Sequence, residues 1–176
     1  IADVGVIKDL ATHDIDSTAW VARSKYVSVS ARTAHKSGRE HEDMVAAVGK
    51  LENGIITNHL VNWLTPFKER LTVVTGERGS LVADTLTADL TFYANASVDT
   101  QWDSVAAFRG VSEGDVIRYA FAKPEPLRVE HEAFRDAVLG IDGAKDRIVT
   151  MEQGLATVAV ASAMIESAKS GTVIKL

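Results

Sequence analysis

An aspartate and a histidine stand one helical turn apart near the start of the chain, in the segment Asp9-Leu-Ala-Thr-His13. Residues four positions apart share one face of an α-helix, so the carboxylate of Asp9 can lie beside the imidazole of His13. A carboxylate in that position fixes the orientation and the tautomer of the ring, as a general base requires. The spacing therefore predicts a proton-transfer pair.

The same spacing also has a purely structural explanation. Asp9 can cap a helix, and His13 can be an ordinary, partly buried histidine. Asp14 and Asp16 add two carboxylates close to His13, which is more negative charge than a helix start facing a core needs. We therefore expect a polar ligand at this end of the helix, with the structural explanation left open.

The composition limits the classes of function. The 176 residues, 46% of them apolar, suffice for one sizeable core, and length alone predicts one domain. The 19 basic and 24 acidic residues give a formal charge of -5, and Lys and Arg do not cluster, so we expect no nucleic-acid partner. The absence of cysteine excludes disulfides and thiolate chemistry and fits a cytoplasmic location. His35, His41 and His59 lack the short paired spacing of a zinc site, so we expect no metal and regard them as surface histidines.

The apolar runs and the start of the chain bear on membrane insertion and on whether the chain is part of a longer protein. The longest apolar run, residues 155–165, is interrupted by polar residues and is shorter than the ~20 residues of a membrane span. We therefore expect no membrane partner. The chain begins at Ile1, with no initiator Met, almost on top of the Asp9 and His13 pair. We therefore expect it to be part of a longer protein, whose upstream part contributes the groups that act together with Asp9 and His13.

Hydrophobic periodicity predicts strands between two groups of helices. Asn53-Gly54 between two apolar runs predicts a hairpin, and the loop before Pro126 leads into a helix that stops at Gly140. The predicted strands are 26–34, 43–51, 55–64, 71–75, 80–84, 90–94, 116–121 and 173–176; the predicted helices are Leu10 to Ala22, 126–139 and 151–170; and residues 95–114 are predicted to form a long loop.

This order of elements predicts the α+β class, with an open, mostly antiparallel sheet that carries helices on one face. The other face is then uncovered and largely apolar. A face of that kind usually meets another subunit, so we expect a homo-oligomer that forms through it.

A second candidate site follows one of the central strands. Asn62-Trp63-Leu-Thr-Pro-Phe-Lys68 combines amide, aromatic and basic groups that can hydrogen-bond a hydroxylated ligand. The same residues also fit a strand end with a solvated charge pair. Sequence alone does not separate the two.

Taken in order, these segments resemble the C-terminal domain of the Gfo/Idh/MocA oxidoreductases over almost the whole chain. Members of this family are two-domain enzymes with an N-terminal Rossmann domain for NAD or NADP and an open-sheet domain for substrate. The segments that carry the resemblance are Val6-Ile-Lys-Asp9-Leu-Ala-Thr-His13-Asp-Ile-Asp16, Gly54 through Asn62-Trp-Leu-Thr-Pro-Phe-Lys-Glu-Arg70, Val73-Val-Thr-Gly-Glu-Arg-Gly79-Ser-Leu-Val-Ala-Asp84, Glu125-Pro-Leu-Arg-Val-Glu130 and Glu166-Ser-Ala-Lys-Ser-Gly171-Thr-Val.

The resemblance implies that residues 1–176 are the substrate-binding, catalytic and oligomerisation domain, and that the cofactor-binding Rossmann domain is absent from this chain. No Gly-x-Gly-x-x-Gly follows a strand here. The family's catalytic lysine belongs to a Glu-Lys-Pro motif of the first domain, and Lys123-Pro124 lies too late to stand for it. We expect the isolated chain to be inactive.

By position in the family motif, His13 resembles the base that accepts a hydroxyl proton, and Asp9 resembles the residue that orients it. The implied reaction oxidises a sugar, cyclitol or nucleotide-sugar hydroxyl and passes hydride to the nicotinamide. Asp16 resembles a substrate-facing position. The likeness is strongest to the nucleotide-sugar branch, the UDP-N-acetylglucosamine 3-dehydrogenases, which makes Asn62, Trp63 and Lys68 candidate substrate contacts.

The chain also departs from the family pattern. Lys8 stands where an apolar residue is usual, and a single Gly5 stands where relatives carry two glycines. A noncatalytic module for sugar binding or dimerisation, in which Asp9 and His13 only shape a pocket, stays open as the alternative.

Overall fold

The computed structural model of the chain describes residues 3–96 and 113–176. Most of the predicted loop of residues 95–114 lies outside the described residues. The chain divides into two compact units, the first formed by Ile1–Thr65 and Glu130–Leu176 and the second by Pro66–Val129.

The first helix begins earlier than predicted, with one π-helical turn, Ile7–Ala11, that continues directly into α1, Thr12–Ala22. It ends at Arg23, whose left-handed backbone has a φ of 49°. Two further α-helices lie in the described residues, α2, Pro126–Val138, and α3, Met151–Ser170. Thr150 and Gln153 form a reciprocal capping box at the start of α3, which satisfies backbone donors that a helix start leaves unpaired.

The first unit contains a four-stranded antiparallel sheet in the order β3-β2-β1-β8. Its hairpin between β2 and β3 turns at Asn53-Gly54, as the sequence predicts, and Gly54 has a φ of 88°. The strands of this first sheet are β1, Tyr26–Ala34, β2, Met44–Leu51, β3, Ile56–Asn62, and β8, Ile174–Lys175.

One face of the first sheet holds the core of the first unit. Alternate residues of β2, including Val45 and Leu51, are buried, and Val160 and Met164 of α3 join the same cluster. Ser167 ties α3 to β1, since its Oγ accepts a hydrogen bond of 3.0 Å from Ala31 N and donates one of 2.6 Å to Thr172 O. The opposite face of the sheet is exposed.

The segment Ala144–Ser170, which contains α3, is long enough to cross a membrane, and an 18-residue stretch within it has a mean hydropathy of 1.5. The C-terminal half of α3, however, contributes Val160, Ala161 and Met164 to the core cluster. A core helix of a globular unit has the same length and composition, so this segment does not indicate a membrane protein.

The second unit contains another four-stranded antiparallel sheet, in the order β4-β5-β6-β7. Its register places two rows of side chains on one face, which we call the apolar face. The strands are β4, Leu71–Gly76, β5, Gly79–Asp84, β6, Asp89–Asn95, and β7, Glu113–Tyr119. The two rows of the apolar face are Val74, Leu81, Phe92 and Ile117, and Thr72, Ala83, Leu90 and Tyr119.

The predicted α+β class with open antiparallel sheets is confirmed. The strands are divided between two sheets instead of forming one, because no ladder joins β3 to β4. Asn62 explains the break: its side-chain Oδ1 accepts hydrogen bonds from Leu64 N and Thr65 N, at 2.8 and 2.9 Å, which turns the chain out of the first sheet. Pro66 then follows, without a backbone N–H for a ladder.

Candidate active site

The start of the first helix is fixed by Glu42, which lies just before β2. Its backbone carbonyl accepts a hydrogen bond of 2.9 Å from Val6 N, and its carboxylate accepts one of 3.2 Å from Ile7 N. The side chain of Glu42 is buried. Gly5 must be a glycine here because a Cβ at that position would overlap the Glu42 carboxylate. A carboxylate at a helix N-terminus is also favoured by the helix dipole.

The π-helical turn brings Asp9 to the end of the first sheet. Trp63, which follows β3, donates a hydrogen bond of 3.2 Å from its indole Nε1 to Asp9 Oδ2. The backbone of Trp63 is held in turn by a bond of 3.0 Å from its N–H to Asp43 O. Two of the residues predicted for the site, Asp9 and Trp63, are therefore in direct contact.

His13 is exposed and lies one turn after Asp9. The hydrogen bond that Asp9 accepts comes from Trp63, and the structure describes none between Asp9 and His13. The two side chains keep the spacing of one helix face, whereas a paired acid and base would share a hydrogen bond. The pairing of Asp9 with His13 therefore stays a prediction.

His13 and Asp16 line a shallow cleft between the first helix and α3. Thr157 of α3 donates a hydrogen bond of 3.3 Å to Asp16 Oδ1 across it. The cleft measures about 390 Å³, within the usual range of small-molecule sites. Hydroxyl, ammonium, imidazole and carboxylate groups from the helices suit a ligand rich in hydroxyls. The lining residues are Lys8, Thr12, His13, Asp16, Ser17, Val149, Gly154, Thr157 and Val158.

The other two predicted substrate contacts are placed differently. The Oδ1 atom of Asn62 is used by the turn that ends β3, which leaves its amide NH2 for a ligand. Lys68 belongs to the second unit and is exposed, so its part in the site stays a prediction.

The sequence analysis missed Arg39, whose guanidinium carbon lies 4.8 Å from the centre of the Trp63 ring. Arg39 belongs to the polar loop between β1 and β2, and no spacing in the sequence links it to Trp63. Asp43 holds this loop, because its Oδ2 accepts hydrogen bonds of 2.6 Å from both Lys36 N and Ser37 N. Burial raises the pKa of Asp43, but the hydrogen bonds from Ser37 and Lys36 outweigh burial and keep that pKa below its usual range.

His59 is also placed differently from the expectation that it is a surface histidine. It lies on the buried face of β3, and its Nε2 is 2.9 Å from the Tyr26 hydroxyl. Burial lowers the pKa of His59 and raises the pKa of Tyr26. The alternation of β3, in which Thr57, His59 and Val61 are the buried positions, is the sequence signal that could have revealed this.

Residues 2–82 match the family model of the GFO/IDH/MocA C-terminal domain. The match confirms the resemblance to the Gfo/Idh/MocA family. It covers the first helix, β1 to β4 and most of β5, and so includes every predicted site residue. No curated protein matches the chain significantly.

Solved structures of oxidoreductases have the same fold as this chain. UDP-N-acetylglucosamine 3-dehydrogenase GnnA from Acidithiobacillus ferrooxidans superposes with a TM-score of 0.75 at 21% identity, over 96% of this chain and 50% of its own. The WlbA dehydrogenase from Bordetella pertussis, solved with NADH and UDP-GlcNAcA, gives 0.64 at 22% identity, over 99% and 46%. The aldose-aldose oxidoreductase from Caulobacter crescentus, complexed with glycerol, gives 0.68 at 15% identity, over 97% and 47%.

The chain thus spans about half the length of these structural relatives. The described residues do not form a Rossmann dinucleotide site. All strand pairs among them are antiparallel, and a Rossmann site needs parallel strands joined through a helix.

Proposed function

We propose that residues 1–176 form the substrate-binding, catalytic and oligomerisation domain of an NAD(P)-dependent oxidoreductase that acts on a sugar, cyclitol or nucleotide-sugar hydroxyl. The observation that carries this proposal is that exposed His13 lines a polar cleft one turn after Asp9, within the residues that match the model of the GFO/IDH/MocA C-terminal domain. Asp16 and Thr157 face the same cleft.

In the proposed reaction, His13 accepts the proton of the substrate hydroxyl. Asp9 is oriented by the Trp63 indole N–H, and it in turn fixes the imidazole once substrate closes the gap between them; hydrogen bonds in active sites often tighten only with substrate bound. Asp16, Asn62 and Trp63 hold the sugar, and Lys68 of the second unit is a further candidate contact. A nicotinamide bound mainly by a Rossmann domain outside this chain would accept the hydride from the carbon that bears this hydroxyl.

Among the substrate classes, we favour nucleotide sugars. GnnA is named as a UDP-N-acetylglucosamine 3-dehydrogenase, and WlbA was solved with UDP-GlcNAcA. The resemblance of residues 6–16 and 54–70 to the nucleotide-sugar branch supports the same class. The proposal further includes a cytoplasmic location and a homo-oligomer formed through the apolar face of the second sheet.

One observation favours a second candidate, a noncatalytic module for sugar binding or dimerisation. Asp9 is hydrogen-bonded to Trp63 and not to His13, which is the arrangement expected if Asp9 only shapes a pocket. In that case the protein would bind a sugar but would not oxidise it.

A substrate panel separates the two candidates. The intact protein is incubated with NAD+ or NADP+ and with UDP-N-acetylglucosamine, UDP-glucose, N-acetylglucosamine or myo-inositol, and the reduced nicotinamide is followed by absorbance. The proposal predicts cofactor reduction with at least one member of the panel. Calorimetric binding of a sugar without any reduction would support a noncatalytic sugar-binding module. Neither binding nor reduction would contradict both the enzyme and the sugar-binding module.

A further inference from the structure

Arg39, Trp63 and Asp9 form a continuous cluster, and Asp9 lies one helical turn before His13. The Arg39 guanidinium lies over the face of the Trp63 ring at 4.8 Å, and the edge of the same indole donates its N–H to Asp9. A guanidinium stacked on an indole is held by cation–π attraction and keeps the donors at its edge available. Trp63 therefore links Arg39 to the acid of the proposed active site.

Arg39 is exposed and has no acidic partner within the parts of the chain that the structure describes. Its loop is nevertheless held in place, because Asp43 accepts backbone hydrogen bonds from Lys36 and Ser37. Arginines at a protein surface usually meet a carboxylate or water. An arginine that is positioned by stacking and left without a carboxylate is prepared for an anion from outside.

The charge around the cluster favours a second cation for an anionic ligand, besides Lys8, which lines the cleft. The first helix carries Asp9, Asp14 and Asp16 within eight residues, and the whole chain has a formal charge of -5. These carboxylates suit hydroxyl groups but repel phosphates and carboxylates. Lys8 alone faces these three carboxylates from the cleft lining, so a ligand with an anionic group gains from a further cation close to the site.

We propose that Arg39 is a specificity-determining residue that binds the anionic group of the substrate, a phosphate or a carboxylate, while the reacting hydroxyl lies at His13. The planar guanidinium gives such a group two parallel hydrogen bonds. This inference rests on the proposed function, since it assigns the substrate of the same site. It restricts that substrate to anionic sugars, such as nucleotide sugars or sugar acids.

The test compares the intact protein with three variants, Arg39→Gln, Arg39→Lys and the control Lys50→Gln. Lys50 is an exposed cation on β2, in register with Ser28 and Ile56 on the face of the first sheet opposite the core, so its replacement makes the same change in net charge away from the site. Calorimetry measures the affinity for UDP-N-acetylglucosamine, UDP, glucuronate and N-acetylglucosamine. The only anionic group of UDP is its diphosphate, the only anionic group of glucuronate is its carboxylate, and N-acetylglucosamine is neutral.

We expect Arg39→Gln to weaken the binding of at least one anionic probe by about 10- to 100-fold, as loss of hydrogen bonds to a charged group implies. N-acetylglucosamine should bind as before, and Lys50→Gln should match the parent with every probe. Arg39→Lys should recover only part of the loss, because an ammonium lacks the planar fork. The probe that loses affinity identifies the group as phosphate or carboxylate.

Three results would overturn the inference: no binding of any anionic probe to the parent protein, unchanged binding of the anionic probes to Arg39→Gln, or equal losses for anionic and neutral probes, which would indicate a structural role. The proposed function is tested by a different measurement. It is contradicted when no substrate reduces the cofactor, whereas the role of Arg39 is judged from binding alone.

Discussion

At the scale of single residues, the buried contact between Tyr26 and His59 makes a prediction about pH. His59 Nε2 lies 2.9 Å from the Tyr26 hydroxyl, and burial lowers the pKa of His59, an effect that the charge of Asp14 only partly opposes. The unfolded chain therefore takes up the proton more readily than the folded chain. Stability from this site is complete above about pH 6.5, the pKa of an unperturbed histidine, and is lost as the pH falls below it.

We expect the free energy of unfolding to fall below about pH 6.5, with a slope of at most about 1.4 kcal/mol per pH unit from this one group. Asp43, whose pKa is lowered, contributes in the same direction only below about pH 4, the usual range of an aspartate. Urea denaturation at a series of pH values measures the free energy of unfolding in both pH ranges.

Two variants test whether His59 causes the decline in stability that begins near pH 6.5. His59→Gln should remove the decline that begins near pH 6.5, while His35→Gln, which replaces an exposed histidine of the β1–β2 loop, should keep it. A decline that persists unchanged in His59→Gln would show that another group carries it.

At the scale of elements, the start of the first helix depends on the close packing of Gly5 against the Glu42 carboxylate. Gly5 leaves the space that the Glu42 carboxylate fills while it accepts the Ile7 N–H. We expect Gly5→Ala to lower the free energy of unfolding by about 1 to 3 kcal/mol, the usual cost of forcing extra volume into a packed site.

The matched control for Gly5→Ala is Gly154→Ala. Gly154 lies in α3, where a Cβ would have no atom within 4 Å, so alanine should raise the free energy of unfolding by up to about 1 kcal/mol through its higher helix propensity. Chemical denaturation followed by circular dichroism compares the two variants. Equal effects of the two substitutions would contradict the role given to the Gly5–Glu42 contact.

Most elements could be predicted because their signals are local. Alternation marks β1, the Asn53-Gly54 pair marks the hairpin, and Thr150 and Gly171 mark the two ends of α3. The π-helical turn could not be predicted, since Glu42 fixes the start of the helix from a distant loop. The division into two sheets could not be predicted for a similar reason, because a pattern of strands does not determine which strands pair.

The candidate site shows the same limit. The spacing of Asp9 and His13 predicted two residues on one helix face, and the family pattern pointed to Trp63, which does contact Asp9. The stacking of Arg39 on Trp63 joins two loops that are far apart in sequence. No periodicity or motif encodes such a contact.

At the scale of the whole molecule, the apolar face of the second sheet makes a prediction about assembly. Val74, Ile117 and Tyr119 of this face are 40%, 46% and 44% exposed. An exposed patch of this kind favours a protein interface. We expect Ile117→Lys to weaken self-association of the intact protein, because a charge there must be desolvated on contact.

The neighbouring residue offers the control for this prediction. Val116 is 60% exposed and pairs with Tyr93 on the other face of the same strand, so Val116→Lys should leave self-association unchanged. Sedimentation over a range of concentrations measures both variants. A parent protein that stays monomeric throughout, or equal effects of the two lysines, would contradict an interface on the apolar face.

The central claim, that the imidazole of His13 removes a hydroxyl proton, is tested most directly by kcat in His13→Ala. Ser17→Ala is the control, since Ser17 lines the same cleft and has no acid–base role in the proposal. With the substrate that the panel identifies, we predict that kcat of the intact protein falls about 100- to 10,000-fold in His13→Ala, the usual contribution of a general base, with cofactor affinity unchanged and Ser17→Ala within a few-fold of the parent. Turnover in His13→Ala equal to that of the parent would contradict the claim.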